Sequence, residues 1–146
     1  VNNVLAITPV LKGTIVAPLG IDMPRLISEF DTVSRVREEN INVNRARLQD
    51  IFLRRYFGKY EFVLLVDSDV SVRPGSLEAL MSAWKPGTAP CINTKGFDGS
   101  HVVTACALVH RLDYKDVKYL DRPGECQCLK LPNPFYVDGV EGTEAR

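Results

Sequence analysis

The chain has 146 residues, 45% hydrophobic and 25% charged, a composition that suits one ordinary globular domain and is too short to expect two. Eighteen basic and eighteen acidic side chains give a formal net charge of zero, which argues against a protein built to hold nucleic acid through a basic face. No apolar run nears the ~18 residues of a membrane helix, and the N-terminus lacks the basic and apolar regions of a signal peptide.

In chain order, Val4-Leu5-Ala6-Ile7 predicts a buried strand ending at Thr8-Pro9. Residues 10–23 hold Gly13, Pro18 and Gly20 and read as loop or broken helix. Pro24 and the six residues after it suit a short helix with proline in its first turn. Residues 32–36 predict a second strand. From Asn42 the spacing of Val43, Ala46, Leu48, Ile51, Phe52 and Tyr56 is helical, with Asn42 or Asn44 as cap and Gly58 as stop. Residues 63–66 are apolar without alternation, the pattern of a strand covered on both faces. Pro74-Gly75 turns the chain. Ser76 is the expected cap of a helix whose Leu77, Leu80, Met81 and Trp84 share a face, and Pro86-Gly87 stops it. Residues 89–93 and 102–109 predict two more strands. Residues 121–134 read as irregular. The last segment, "GVEGTEAR", resembles the opening of a helix, so a cut within a functional region is expected.

This alternation predicts an α/β sandwich around a mainly parallel sheet. In such sheets ligands bind outside the carboxyl ends of the strands. Two such ends carry notable residues, Thr8-Pro9 and Asp67-Ser68-Asp69. A chain of this composition holds about one D-x-D by chance, so the setting matters more than the tripeptide. If the strand conformation persists through Ser68, both carboxylates point to one side. Buried carboxylates without compensation are costly, and a divalent cation resolves the conflict. Mg²⁺ takes one or two carboxylates, keeps waters, and draws further oxygens from substrate phosphates. The bland alternative is that the two aspartates stabilise a turn.

Four cysteines, Cys91, Cys106, Cys126 and Cys128, form no C-x-x-C pair, and only His101 and His110 accompany them. That is poor spacing for zinc. Small buried hydrophobes or free thiols in a reducing compartment are expected, although Cys126-Gln-Cys128 could join a disulfide. Trp84 and Met81 read as core, and both histidines as structural.

The stretch "NRARLQDIFLRRYFGKYEFVLLVDSDVSVRPGSLEALMSAW" resembles the nucleotide-sugar-binding half of GT-A fold glycosyltransferases, where an Arg-bearing helix precedes a hydrophobic strand ending in D-x-D. "VLAITPV" resembles their first strand, "TACALVHRLDYKDV" a later strand and turn, and "FYVDGVEGTEAR" the segment before the helix bearing the catalytic acid. It looks like an archaeal-virus member, although no residue separates viral from cellular members. The resemblance implies a single GT-A (Rossmann-like) three-layer α/β/α domain over residues 1–146. Its nucleotide-sugar half would be about 1–84 and its acceptor half about 85–146.

The implied function is metal-dependent transfer of a sugar from a UDP- or GDP-linked donor to a glycan, protein or lipid acceptor, with Mn²⁺ or Mg²⁺. Asp69 would ligate the metal, and Asp67 would hold the ribose or a metal-bound water. Thr8, Pro9 and Ser68 would line the nucleotide. Arg45 or Arg47 would face nucleotide or diphosphate, unless they form a solvated helix face. In the loop between the late strands, Lys95, Phe97 and Asp98 would meet the acceptor. Many family members place Glu-Asp before the last helix, with the Asp as base. Here the match is Glu141-Gly142, which leaves Glu141 or Asp138 as candidate base, or an inactive or retaining variant. The expected compartment is cytoplasmic (host cytoplasm if viral), with room for peripheral membrane association.

Two rivals stand beside this reading. A haloacid-dehalogenase-like phosphatase also follows an apolar strand with D-x-D, its first Asp acting as nucleophile. That motif usually opens its domain, and no later pair of adjacent aspartates exists here. A non-catalytic nucleotide- or metal-binding module is the other.

Overall fold

The computed structural model describes residues 3–31, 37–94 and 104–144, with residues 37, 38 and 138–144 described by backbone alone. The elements are β1 (Val4–Leu11), β2 (Arg25–Phe30), α1 (Arg37–Arg55), β3 (Phe62–Val66), β4 (Val70–Val72), α2 (Ser76–Ala83), β5 (Ala89–Asn93), β6 (Cys106–His110), α3 (Arg111–Lys115) and β7 (Pro134–Glu144), with a 3₁₀ turn at Gln127–Leu129. The strand order is β2-β1-β3-β6-β5-β7-β4. Six strands make the central sheet, and the end of β7 leaves it to pair with β4 in a small ribbon. β1, β2, β3, β5 and β7 run one way, while β6 and β4 oppose them.

The sheet is covered on both faces, which explains why β3 is apolar throughout. Phe62, Leu64 and Val66 pack with Leu77 and Leu80 of α2. Val63 and Leu65 pack with Leu48 and Phe52 of α1 and Tyr114 of α3. All five β3 residues are buried. Each such apolar side chain contributes about 1.5–3 kcal/mol. The result is the expected three-layer α/β/α sandwich. Among the described residues no helix is long and apolar enough to cross a membrane.

Several elements differ from the sequence reading. Residues 25–30 form a strand, not a helix, because β1 presents an open parallel edge and the Ala6 N–H donates to the Pro24 carbonyl, 2.9 Å. β1 runs on through Thr8 and Pro9 to Leu11, paired throughout with β2. Proline is tolerated where its missing N–H costs no ladder bond. Helix α1 begins before Asn42, so neither Asn42 nor Asn44 is a cap. The cap of α2 is Gly75, in a left-handed conformation, with Ser76 already helical and buried. Residues 134–144 are strand, held by ladders to β5 and β4, so residues 139–144 are extended where the opening of a helix was expected. The predicted strand at 32–36 lies outside the described residues, as do His101 and the first two residues of the strand predicted from 102.

All four cysteines are free. Burial pushes the Cys91 thiol up to about 12, the Phe135 backbone acting against it, and pushes Cys106 higher still. Both therefore stay protonated at pH 8, where the thiolate is the reactive form. Iodoacetamide at pH 8 is expected to modify exposed Cys126 and to spare Cys91 and Cys106 until the protein unfolds. Peptide mass spectrometry checks this, and rapid labelling of Cys91 in the folded protein would contradict the packing described.

His110 is structural as expected. Its Nδ1 accepts from the Leu112 N–H at 3.2 Å, and its ring stacks on Trp84 with centroids 5.1 Å apart.

Candidate functional site

β3 buries Val66 and then releases the chain at the carboxyl edge of the sheet. The backbone turns at once, with the Val70 N–H donating to the Asp67 carbonyl at 3.2 Å. Extended geometry thus does not persist through Ser68, and strand alternation does not aim the two carboxylates. The turn nevertheless brings Asp67, Ser68 and Asp69 onto one cleft.

The turn is braced by its neighbours. The Asp67 N–H donates to the Ala105 carbonyl and the Ala17 N–H to the Ser68 carbonyl, both at 2.8 Å. Beyond it the Val72 N–H donates to the Leu19 carbonyl at 2.7 Å, and Ser71 Oγ to the Pro18 carbonyl at 2.6 Å. Residues 17–20 therefore lie against 68–72. Arg25 supports this brace from beneath, its Nε donating to Thr8 Oγ1 at 2.9 Å and its Nη1 to the Ala17 carbonyl at 3.4 Å. The Arg25 Nη2 is buried without a hydrogen-bond partner, and burial lowers the pKa of the group.

The cleft holds about 330 Å³. Pro9, Leu11, Phe30 and Ile41 supply apolar lining, Thr14 joins them, and Asp67, Ser68 and Asp69 supply the acidic end. Ile15 also lines it and is 94% exposed. Its elements are the ends of β1 and β2, the loop after β1, α1, and the turn after β3.

Behind Asp67 lies a buried polar group. Arg45 Nη2 is 3.6 Å from Asp67 Oδ1, and the Arg45 side chain is only 10% exposed against 36% for Asp67. Arg45 Nη1 donates to Asn42 Oδ1 at 3.1 Å. Asn42 Nδ2 in turn donates to the carbonyls of Pro123 at 2.6 Å and Glu125 at 2.8 Å. Tyr119 donates to Gln127 Oε1 at 2.8 Å. Burial raises the pKa of Tyr114 and Tyr119 and keeps both phenols neutral, with the Arg45 charge acting to lower each.

The structure separates the sequence-predicted residues. Pro9, Asp67, Ser68 and Asp69 meet in the cleft. Thr8 does not line it; it is fully buried and accepts the bond from Arg25. Arg45 points inward to Asp67. Arg47, two residues on and therefore about 200° around the helix, is exposed and lies beside Glu29 and Asp31 at the outer edge of β2. Lys95, Phe97 and Asp98 lie outside the described residues. Asp138 and Glu141 are placed by backbone alone, on β7. Glu141 pairs with Asn93, and Asp138 falls in the irregularity between the Cys91–Tyr136 and Asn93–Glu141 pairs. Beyond them Gly142 pairs with Val72 and Glu144 with Val70, so β7 runs alongside the segment that follows Asp69.

Sequence reasoning missed Arg25, Asn42 and Gln127. Only Asn42 carried a signal, and it was read as a helix cap.

Among the described residues no three His, Cys, Asp or Glu side chains gather as a metal cage. Two carboxylates at the acidic end of a cleft would fit a hard cation, which takes oxygen ligands. They do not suit a structural zinc.

Solved structures similar to the chain include two at 14% and 15% identity. A197 from STIV matches with a TM-score of 0.68 at 14% identity, over 99% of this chain and 86% of that one. A glycosyltransferase involved in the glycosylation of the major capsid of PBCV-1 matches with a TM-score of 0.55 at 15% identity. This is a GT-A-like fold. The second match spans 77% of this chain and 62% of the PBCV-1 protein, so the chain covers less than two thirds of it. No family model matches the chain, and no curated protein matches it in sequence. Fold likeness at such identities does not carry function, which has to be argued from the site.

Proposed function

We propose that the protein is a glycosyltransferase that takes a sugar from a UDP- or GDP-linked donor, with Mn²⁺ or Mg²⁺, and passes it to a hydroxyl of a glycan, protein or lipid acceptor. The observation that carries this reading is the acidic turn of Asp67, Ser68 and Asp69, set at the end of a wholly buried strand and opening into a cleft with apolar lining. Such a cleft suits an amphipathic ligand with a flat apolar part and a charged part. The fold it shares with a glycosyltransferase supports the same class.

Asp69 holds the cation, with Asp67 contributing or holding the ribose. The bound cation supplies Lewis-acid stabilisation of the leaving diphosphate. The apolar lining, Pro9 and Phe30 among it, takes the base and excludes water around it. An inverting reaction needs a base to take the acceptor proton as the hydroxyl attacks the anomeric carbon. Asp138 and Glu141 are the candidates, on the strand that passes from β5 to β4. Lys95, Phe97 and Asp98 are assigned to the acceptor side.

The protein incubated with UDP- and GDP-sugars and Mn²⁺ is expected to release free nucleotide slowly, by transfer to water. Turnover of a generic phosphomonoester with no donor binding or hydrolysis would instead favour a phosphatase.

A further inference from the structure

Arg45 is an unusual cation for a cleft residue. It is 9% exposed, on the inner face of α1, and is not among the residues lining the cleft. A void of about 10 Å³, room for at most about one water, lies between it, Asp67, Tyr119 and Gln127. A guanidinium so enclosed is poorly placed to travel to a diphosphate. It is held from behind by Asn42, itself fully buried and fixed by two carbonyls of the 123–125 segment. It meets the acidic end of the cleft at Asp67, 3.6 Å away.

We propose that Arg45 is a positioning residue: it orients the Asp67 carboxylate from behind, through a chain that runs from the 123–125 segment to Asn42, Arg45 and Asp67. This rests on the reading of Asp67 as part of a donor site, but assigns Arg45 no contact with the donor. The irregular segment after α3 thereby becomes part of the frame of the cleft. A planar, always-charged guanidinium can bind Asn42 with one nitrogen and face Asp67 with the other, which an ammonium cannot reproduce in the same geometry.

The test uses the whole protein with R45M, R45K, N42A and D67N, each checked for a cooperative thermal transition. The first readout is the side-chain rotamer of Asp67 from three-bond NMR couplings. A single rotamer in the wild type, averaged in R45M and in N42A, is expected; an Asp67 that keeps its rotamer in R45M overturns the proposal. The second readout is UDP and GDP affinity with and without Mn²⁺. R45M should lose roughly ten-fold or more of the Mn²⁺-dependent increment, and R45K should recover part of it. R45M combined with D67N should cost no more than D67N alone, because one residue acts through the other. Additive losses would show a contact of Arg45 with the nucleotide that does not run through Asp67, and would overturn the proposal. A wild-type protein with no Mn²⁺-dependent nucleotide affinity contradicts the donor reading, and the rotamer readout still decides the role of Arg45.

Discussion

Asp69→Ala is expected to abolish Mn²⁺-dependent binding of the donor nucleotide and to lower donor hydrolysis by about 100-fold or more, about 2.7 kcal/mol of transition-state stabilisation. The reasoning starts from exposure. Asp69 is half-buried at the mouth of a cleft and stands outside both core clusters. Removing it should therefore leave stability within about 0.5 kcal/mol of the wild type. A cation held there would have few protein ligands to fall back on, since no third acidic, His or Cys side chain gathers there among the described residues. Calorimetry with UDP or GDP, with and without Mn²⁺, measures the effect. Unchanged metal-dependent affinity in the variant would remove Asp69 from the metal site. The phosphatase alternative makes a different demand, that Asp67→Asn block a covalent phospho-intermediate.

Gly20→Ala is expected to destabilise the protein by about 3 kcal/mol or more and to disturb the acidic turn with it. Gly20 has φ +91°, where side chains with a Cβ are strained, and an added Cβ would stand 2.2 Å from the Val72 carbonyl oxygen. Val72 cannot yield cheaply. It is tied to Leu19 and also pairs with Gly142 of β7. Relief of the clash must therefore shift residues 17–20 away from 68–72, releasing the bond from Ala17 to Ser68. Chemical denaturation gives the stability. Amide exchange at Ser68 to Val70 reports the turn, and exchange there unchanged from wild type would show that the brace does not hold it. Gly13, also at positive φ, has no atom within 4 Å of an added Cβ, so Gly13→Ala serves as the strain-only control.

The central strand and its acidic end were legible because five consecutive apolar residues admit only a two-sided burial. The helices flanking it were legible for a related reason, since Leu48 with Phe52 and Leu77 with Leu80 each cover one face of the sheet. β2 was not. Arg25, Ser28 and Glu29 interrupt its apolar pattern, Pro24 mimics a helix start, and its strand character comes from pairing with β1. β4 is three residues long and exists through β7, whose own pairing spans residues distant in sequence. The D-x-D was found for a reason that proved incomplete. Strand alternation promised two aligned carboxylates, whereas a turn held by residues 17–20 and by Ala105 brings them to the cleft. The roles of Arg45 and Arg47 could not be separated by composition. Helical spacing separates them once the buried face of α1 is known, because Leu48 and Phe52 fix which side faces the sheet.

The donor reading is tested most directly by crystals grown or soaked with UDP or GDP and Mn²⁺, with anomalous scattering to locate the metal. The account predicts an anomalous peak within coordination distance of the Asp69 carboxylate, the diphosphate on that ion, and the base against Pro9 and Phe30. A nucleotide bound elsewhere, or a diphosphate in the cleft with no metal at Asp69, would contradict it.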